Sequence, residues 1–192
     1  IDLVIRQGNQ ESLTLEGNPS ALKEIEVLQK NGQLKIRFKS DQGWKNVFKN
    51  REIKAYLNIK SIQSIHTSGG SDVESVGTII ASNLSLSASG GSDMNISLRA
   101  NNLNASASGG SDMLLAGSAA NLVASASGGS DIKMEKLASN YANLTATGGS
   151  DIYASVSKGL TASASGGSDI SYIGNPDIKK SSSGSGSIRK KN

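Results

Sequence analysis

Six aspartates recur along this chain in one local setting, Ser/Thr-Gly-Gly-Ser-Asp followed by Val, Met or Ile: Asp72, Asp93, Asp112, Asp131, Asp151 and Asp169. The intervals between them are 21, 19, 19, 20 and 18 residues. Carboxylates repeated at such a distance could do two kinds of chemistry. Stacked at the separation of neighbouring β-strands, about 4.8 Å, they could bridge a row of Ca²⁺ or other hard cations, which bind through oxygen. Alternatively, each could accept hydrogen bonds from backbone N–H groups and serine hydroxyls of its own bend and so fix a turn. The turn role is the expected one. A dedicated calcium site gathers several acids around one ion, and this motif supplies one acid per repeat. No metal is therefore expected, and the six aspartates are the ladder that a cation would use if one bound.

A third chemistry is polysaccharide cleavage, which on elongated β scaffolds uses aspartates with a Lys or Arg base. The residues give it little help. The single histidine, His66, reads as a solvated or end-of-strand residue. No Ser-His-Asp set has a spacing argument behind it, and no histidine clusters with acids. Catalysis needs one asymmetric pocket, whereas these acids recur identically. No catalytic residue is assigned and no cofactor is expected, with a polysaccharide lyase or hydrolase kept as the alternative. Rings that could form a sugar platform are Tyr141, Tyr153 and Tyr172, with Trp44 nearer the N-terminus; core filling or rim packing is the competing job for each.

What positions these residues follows from the repeat. An interval of 18 to 21 residues is the length of one solenoid coil. Another 18 residues beyond Asp169 lies Ser187, within Ser183-Gly184-Ser185-Gly186-Ser187-Ile188, which keeps the outline of the motif without its acid and reads as a terminal coil. Inside each coil, apolar residues fall at every second position, the period of a strand. Leu84, Leu86, Ala88 and Gly90, then Met94, Ile96 and Leu98, are expected to point inward. Leu103, Ala105, Ala107 and Gly109 with Met113 and Leu115 repeat the scheme, as do Leu122, Ala124, Ala126 and Gly128 with Ile132 and Met134. Two strands per coil are expected, joined at Gly-Gly-Ser-Asp and at Asn-rich steps such as Asn101-Asn102 and Asn121. An antiparallel sandwich shares the alternation but gives no reason for one motif to recur in register. The calcium-binding nonapeptide roll is set aside for lack of a nine-residue period, and a left-handed solenoid for lack of a hexapeptide rhythm. The expectation is an all-β, single-stranded, right-handed parallel β-helix.

Residues 1–52 lack the motif and form an expected N-terminal β cap; residues 53–188 form the coils, and 1–192 make one domain. Leu3 and Ile5, Leu13 and Leu15, then Leu34, Ile36 and Phe38 alternate with polar partners, and Asn31-Gly32 is a hairpin signal. Gly17-Asn18-Pro19-Ser20 reads as a loop with one helical turn. Trp44, Val47 and Phe48 are expected to cover the open end of the first coil, protecting ladder edges.

Composition fits a long, thin core of small and aliphatic side chains: 22 Gly, 2 Pro and only 4% aromatics in 192 residues. The absence of cysteine excludes disulfides and thiolate chemistry. No apolar run is long enough to span a membrane. The net charge of +4 comes mainly from the N-terminal region and from Lys179, Lys180, Arg189, Lys190 and Lys191, with too few interleaved aromatics to argue for nucleic acid. A start at Ile1 suggests that a leader was removed or not included.

The opening Leu3-Val4-Ile5-Arg6-Gln7-Gly8, the Asn31-Gly32 strand pair and the repeated Ser-Gly-Gly-Ser-Asp coils together resemble the auto-transporter adhesin head domain family, also called head-GIN. The resemblance covers nearly the whole chain. It implies a right-handed parallel β-helix in an exported or lipid-anchored envelope protein of Bacteroides-type bacteria, at the periplasm, outer membrane or cell surface. It goes with a non-catalytic adhesive or envelope-scaffold role; separately, the Ser/Asn/Asp surface points to a glycan or protein as partner, and a second copy of the chain is a further expected partner. It supplies no catalytic residues.

Overall fold

The computed structural model describes residues 1–39 and 52–191. The regular structure is nearly all β, with 73% strand and 2% helix, wound as a parallel β-solenoid of about 7 turns. The expected cover by Trp44, Val47 and Phe48 lies outside the described residues.

The N-terminal strand β1 (Asp2–Gln7) leads to β2 (Ser12–Glu16), a one-turn helix α1 (Pro19–Leu22) and a hairpin of β3 (Ile25–Lys30) and β4 (Gln33–Phe38). Asn18 caps α1, its side-chain oxygen accepting the Ser20 N–H at 3.0 Å, and Pro19 supplies the preset φ of the first helical position. Asn31 and Gly32 take φ values of 51° and 75°, the left-handed pair that turns a two-residue hairpin. Ala21, Ile25 and Ile53 form a small second core, with Ile1, Leu15, Leu22 and Ile36 packed on it.

The solenoid starts with β5 (Lys54–Ile59), β6 (Ser64–Ser68), the short β7 (Val73–Ser75) and β8 (Ile79–Ser89). β1 does not belong to the cap. It pairs in parallel with β5 on one side and β7 on the other, Leu3 opposite both Ala55 and Val73. On this face the chain climbs two rungs between β5 and β7, and β1 fills the gap. β6 meanwhile pairs directly with β8, and β2 covers the outer edge of β5 in antiparallel register, so that edge is not left open to other chains.

Full coils follow as β9 (Met94–Ser108), β10 (Asp112–Gly128), β11 (Asp131–Gly148) and β12 (Asp151–Gly166), and the solenoid ends in β13 (Asp169–Ile173), β14 (Asp177–Gly184) and β15 (Ser187–Lys190). In β9 to β12 the two expected strands of a coil are one bent strand. The Asn-rich corner bends without breaking the ladder, since Ser118, Ala119 and Asn121 keep their partners in β9. Bulges at Leu114/Ala116 and Met134/Ala138 absorb the differences in coil length. The strands themselves end at Gly-Gly-Ser-Asp, as β9 does at Ser108 and β10 at Gly128.

Inward positions follow the expected alternation, and Ala107 and Ala126 are 1% and 0% exposed. The alanines stack as Ala88, Ala107, Ala126, Ala146 and Ala164. The glycines assigned to the interior behave differently. Gly90, Gly109 and Gly128 are exposed and carry φ values of 66°, 67° and 78°. They are the first residue of the turn, where a left-handed backbone is required, and so they leave the strand alternation one step earlier than expected. In the last coil two inward columns turn polar, with Lys180 continuing the Ala162 position and Ser182 that of Ala164, while Ile178 and Ile188 still pack on the core from partly buried positions.

Candidate binding faces

Each turn fixes one aspartate and one serine, and the two divide the work. Ser92, Ser111, Ser130, Ser150 and Ser168 are 0% exposed. Ser130 Oγ accepts the Ser127 N–H at 3.1 Å and donates to a carbonyl, with Ser127 O at 2.9 Å and Ala107 O at 3.0 Å. Ser150 and Ser168 repeat this arrangement. In the earlier coils the hydroxyl reaches between turns instead: Ser92 Oγ accepts from Gly70 and Ser71 N–H, and Ser111 Oγ from Ser92 N–H. The serine therefore fixes the bend, the part expected of the aspartate.

The aspartates form one column, but they do not cap their own bends. Asp93 N–H donates to Asp72 Oδ1 at 3.3 Å, Asp112 N–H to Asp93 Oδ1 at 3.1 Å, Asp131 N–H to Asp112 Oδ1 at 3.2 Å and Asp169 N–H to Asp151 Oδ1 at 3.2 Å. Each of these carboxylates thus ties one coil to the next. The column has a seventh member, Asp2, whose Oδ1 accepts the Asp72 N–H at 3.3 Å. Lys54 stands opposite Asp2 at one end of the column and Ser187 opposite Asp169 at the other. Asp2-Leu3 has the same acid-then-apolar order as the repeats. That was the signal for its place, and it went unread because the glycines that mark the other turns are missing.

Cations moderate the column. Lys133 Nζ lies 3.3 Å from Asp131 Oδ2 and 4.0 Å from Asp112 Oδ2. Its hydrogen bond to Asp131, with the charges of both acids, holds the ammonium above its ordinary range. Arg189 pairs with Asp169. The Ser187 hydroxyl stands close enough to favour the Asp169 carboxylate, although its oxygen makes no hydrogen bond of ordinary geometry; together with Arg189 it draws Asp169 below its usual value. A shallow groove of about 460 Å³ runs beside the column from Lys54 to Lys133. Among the described residues no three His, Asp or Glu side chains converge as metal ligands.

The three tyrosines do not share a surface. Tyr153 is on the aspartate-bearing face, its hydroxyl donating to Asp151 Oδ2 at 3.3 Å and Lys191 Nζ 5.7 Å from its ring centre. Burial, then the negative charge of Asp151, raises its pKa. Tyr172 takes an inward position, in register with Ala154, and packs on the core. Tyr141 sits at the Asn-rich corner and is 53% exposed. Along that corner Asn83, Asn102 and Asn121 stack, with Asn102 Nδ2 donating to Asn83 Oδ1 at 2.7 Å and Asn121 Nδ2 to Asn102 Oδ1 at 2.9 Å. Tyr141 takes the next rung, in register with Asn121. Beyond it the solvent face carries hydroxyls, Ser87, Ser106, Ser125, Thr145 and Ser163 in one column, with the exposed His66 at its start.

The sequence matches the family described as putative auto-transporter adhesin, head GIN domain, over residues 1–176. The chain belongs to this family. The head-GIN fold is also seen in solved structures of similar proteins. A putative adhesin from Bacteroides fragilis is 24% identical, with a TM-score of 0.89 over 98% of this chain and 87% of that one. A putative adhesin from Parabacteroides distasonis is 19% identical, with a TM-score of 0.81 over 99% of this chain and 88% of that one. A protein from the same species described as a putative lipid binding protein is 20% identical, with a TM-score of 0.79 over 100% and 89%. At these identities the likeness is one of fold. No curated protein matches the sequence. Among the described residues of this head-GIN domain no helix is long and apolar enough to cross a membrane, and the adhesin family implies an exported or surface protein.

Proposed function

We propose that this head-GIN domain is a non-catalytic module on the exported side of the cell envelope, which adheres to glycan or protein through the lateral faces of a rigid solenoid. The observation that carries this reading is the use made of the acids. Asp72, Asp93, Asp112 and Asp151 each spend one oxygen on the backbone of the next coil, so they stand in repeated structural settings, whereas an acid–base pair needs two unlike environments. The family description and the adhesin relatives point the same way.

The test sets adhesion beside turnover. The purified domain is applied to a glycan array and to immobilised host-matrix proteins, and in parallel to acidic polysaccharides with release of unsaturated or reducing ends as the readout. Saturable adhesion without turnover is expected. Turnover abolished by one substitution, such as Asp112→Asn, would replace this reading with the lyase or hydrolase alternative.

A further inference from the structure

The corner opposite the aspartate-bearing turns has the makings of a carbohydrate site. A groove of about 280 Å³ runs along the asparagine ladder, and every residue lining it is uncharged; Gln63, Asn83, Asn102, Asn104 and Asn121 bring amides to it. Its chemistry contrasts with the acidic groove on the other face. In the ladder each Nδ2 donates to the Oδ1 one rung before, so Asn121 Oδ1 is the acceptor left at the advancing end, with no partner among the described residues. A further asparagine at the next rung would have continued the ladder. Tyr141 stands there instead.

The ring of Tyr141 is also provided for. A Cβ at residue 159, on the following rung, would lie 2.9 Å from Tyr141 Cδ1 and 3.3 Å from Cε1, so the ring leans over a backbone kept bare by Gly159. Gly159 carries no left-handed backbone angle, and the approach of the ring is the steric reason for glycine at that position. Lys158 Nζ approaches to 5.9 Å of the ring centre, yet the residue remains 53% exposed. Asn143, two residues along the same strand, is exposed on the same side. A half-open aromatic ring between amide groups offers an apolar surface for the C–H face of a pyranose and donors and acceptors for its hydroxyls. The rungs repeat at about 4.8 Å, close to the advance of an extended β-linked glycan per sugar.

We propose that the groove along Asn83, Asn102 and Asn121 binds an extended neutral glycan, with one pyranose stacked on Tyr141 and its hydroxyl donating to Asn121 Oδ1. The inference rests on the adhesive reading above and names its ligand class. The test is isothermal titration of the intact domain with cellohexaose, xylohexaose and mannohexaose, alongside an array holding both neutral and acidic glycans. At least one neutral oligosaccharide is expected to bind saturably. Tyr141→Ala should weaken it about tenfold, Tyr141→Phe should leave it nearly unchanged, and Gly159→Ala should weaken it by displacing the ring. All three variants should melt close to the parent temperature. Binding indifferent to Tyr141→Ala, or hits confined to acidic glycans or to proteins, would overturn this site while leaving the adhesive reading in place. No adhesion to any probe, with turnover of a polysaccharide, would remove both.

Discussion

Replacing Asp112 by Asn removes one charge from the middle of the aspartate column and little else. The carboxylate sits between Asp93 and Asp131, and its side chain is 52% exposed, so the medium around it is close to water. Two unit charges one coil rise apart, about 4.8 Å, repel by about 0.9 kcal/mol in water of low ionic strength. With two neighbours, the relief on neutralising Asp112 is about 1.7 kcal/mol, falling to roughly 1 kcal/mol at physiological ionic strength through Debye screening. Against it stands the loss of the 4.0 Å contact with Lys133, an exposed pairing worth about 0–1 kcal/mol. The hydrogen bond that Asp112 accepts from Asp131 N–H at 3.2 Å survives, because an amide oxygen accepts as a carboxylate does. The expected result is a variant more stable than its parent by about 1 kcal/mol at low salt, which for a chain of this size is a rise in Tm of about 2–4 °C. The gain should vanish in about 1 M salt, where the Debye length is about 3 Å. Scanning calorimetry in EDTA at several salt concentrations measures this, and a Ca²⁺ series at fixed ionic strength completes it. Ca²⁺ should leave the parent melting temperature unchanged. A variant less stable than the parent in EDTA, or a parent that gains stability with Ca²⁺ in proportion to its concentration and loses that gain with Asp112→Asn, would refute the reasoning and make the column a cation site.

Two further outcomes follow from the same geometry. Ala126→Leu inserts three carbons into a fully buried alanine column and should cost about 1–3 kcal/mol through overpacking, read as a shift in urea midpoint; an unchanged midpoint would mean that the interior yields at this rung. Asp169 is held below its ordinary value of 3.8, so its contribution to stability is complete above that value and is lost as pH falls through the lowered one. Melting temperatures followed from about pH 6 to about pH 3 should therefore fall further for the parent than for Asp169→Asn, and equal falls would remove Asp169 from the account.

The fold was largely legible because a solenoid repeats its instructions. The spacing of Gly-Gly-Ser-Asp predicts the rung, and alternation predicts which side chains face inward, as Leu103, Ala105 and Ala107 do. Three features were not legible, each because it depends on contacts between rungs. The place of β1 between β5 and β7 needed knowledge of a gap in the climb of a distant segment. The direction of the carboxylates, toward the backbone N–H of the next coil rather than their own bend, depends on how the coils stack. The three tyrosines look alike in sequence, yet a step of one residue along a strand reverses the face, so Tyr153 points outward while Tyr172 packs on the core.

The contrast bears on where recognition resides in such a chain. Residues that agree with their column, such as the stacked alanines, the turn serines and most of the aspartates, answer to the ladder, and their identity is explained by the rung above and below. A residue that departs from its column has no such explanation. Lys133 interrupts an outward series in which Leu114 precedes it and Tyr153 follows, and its ammonium is accounted for by Asp131 and Asp112. Tyr141 interrupts the asparagines at a cost, since it ends a chain of amide hydrogen bonds and the residue stays half exposed. Under the proposal above, a stacked pyranose is what would cover this exposed ring and take up the acceptor that Asn121 leaves free.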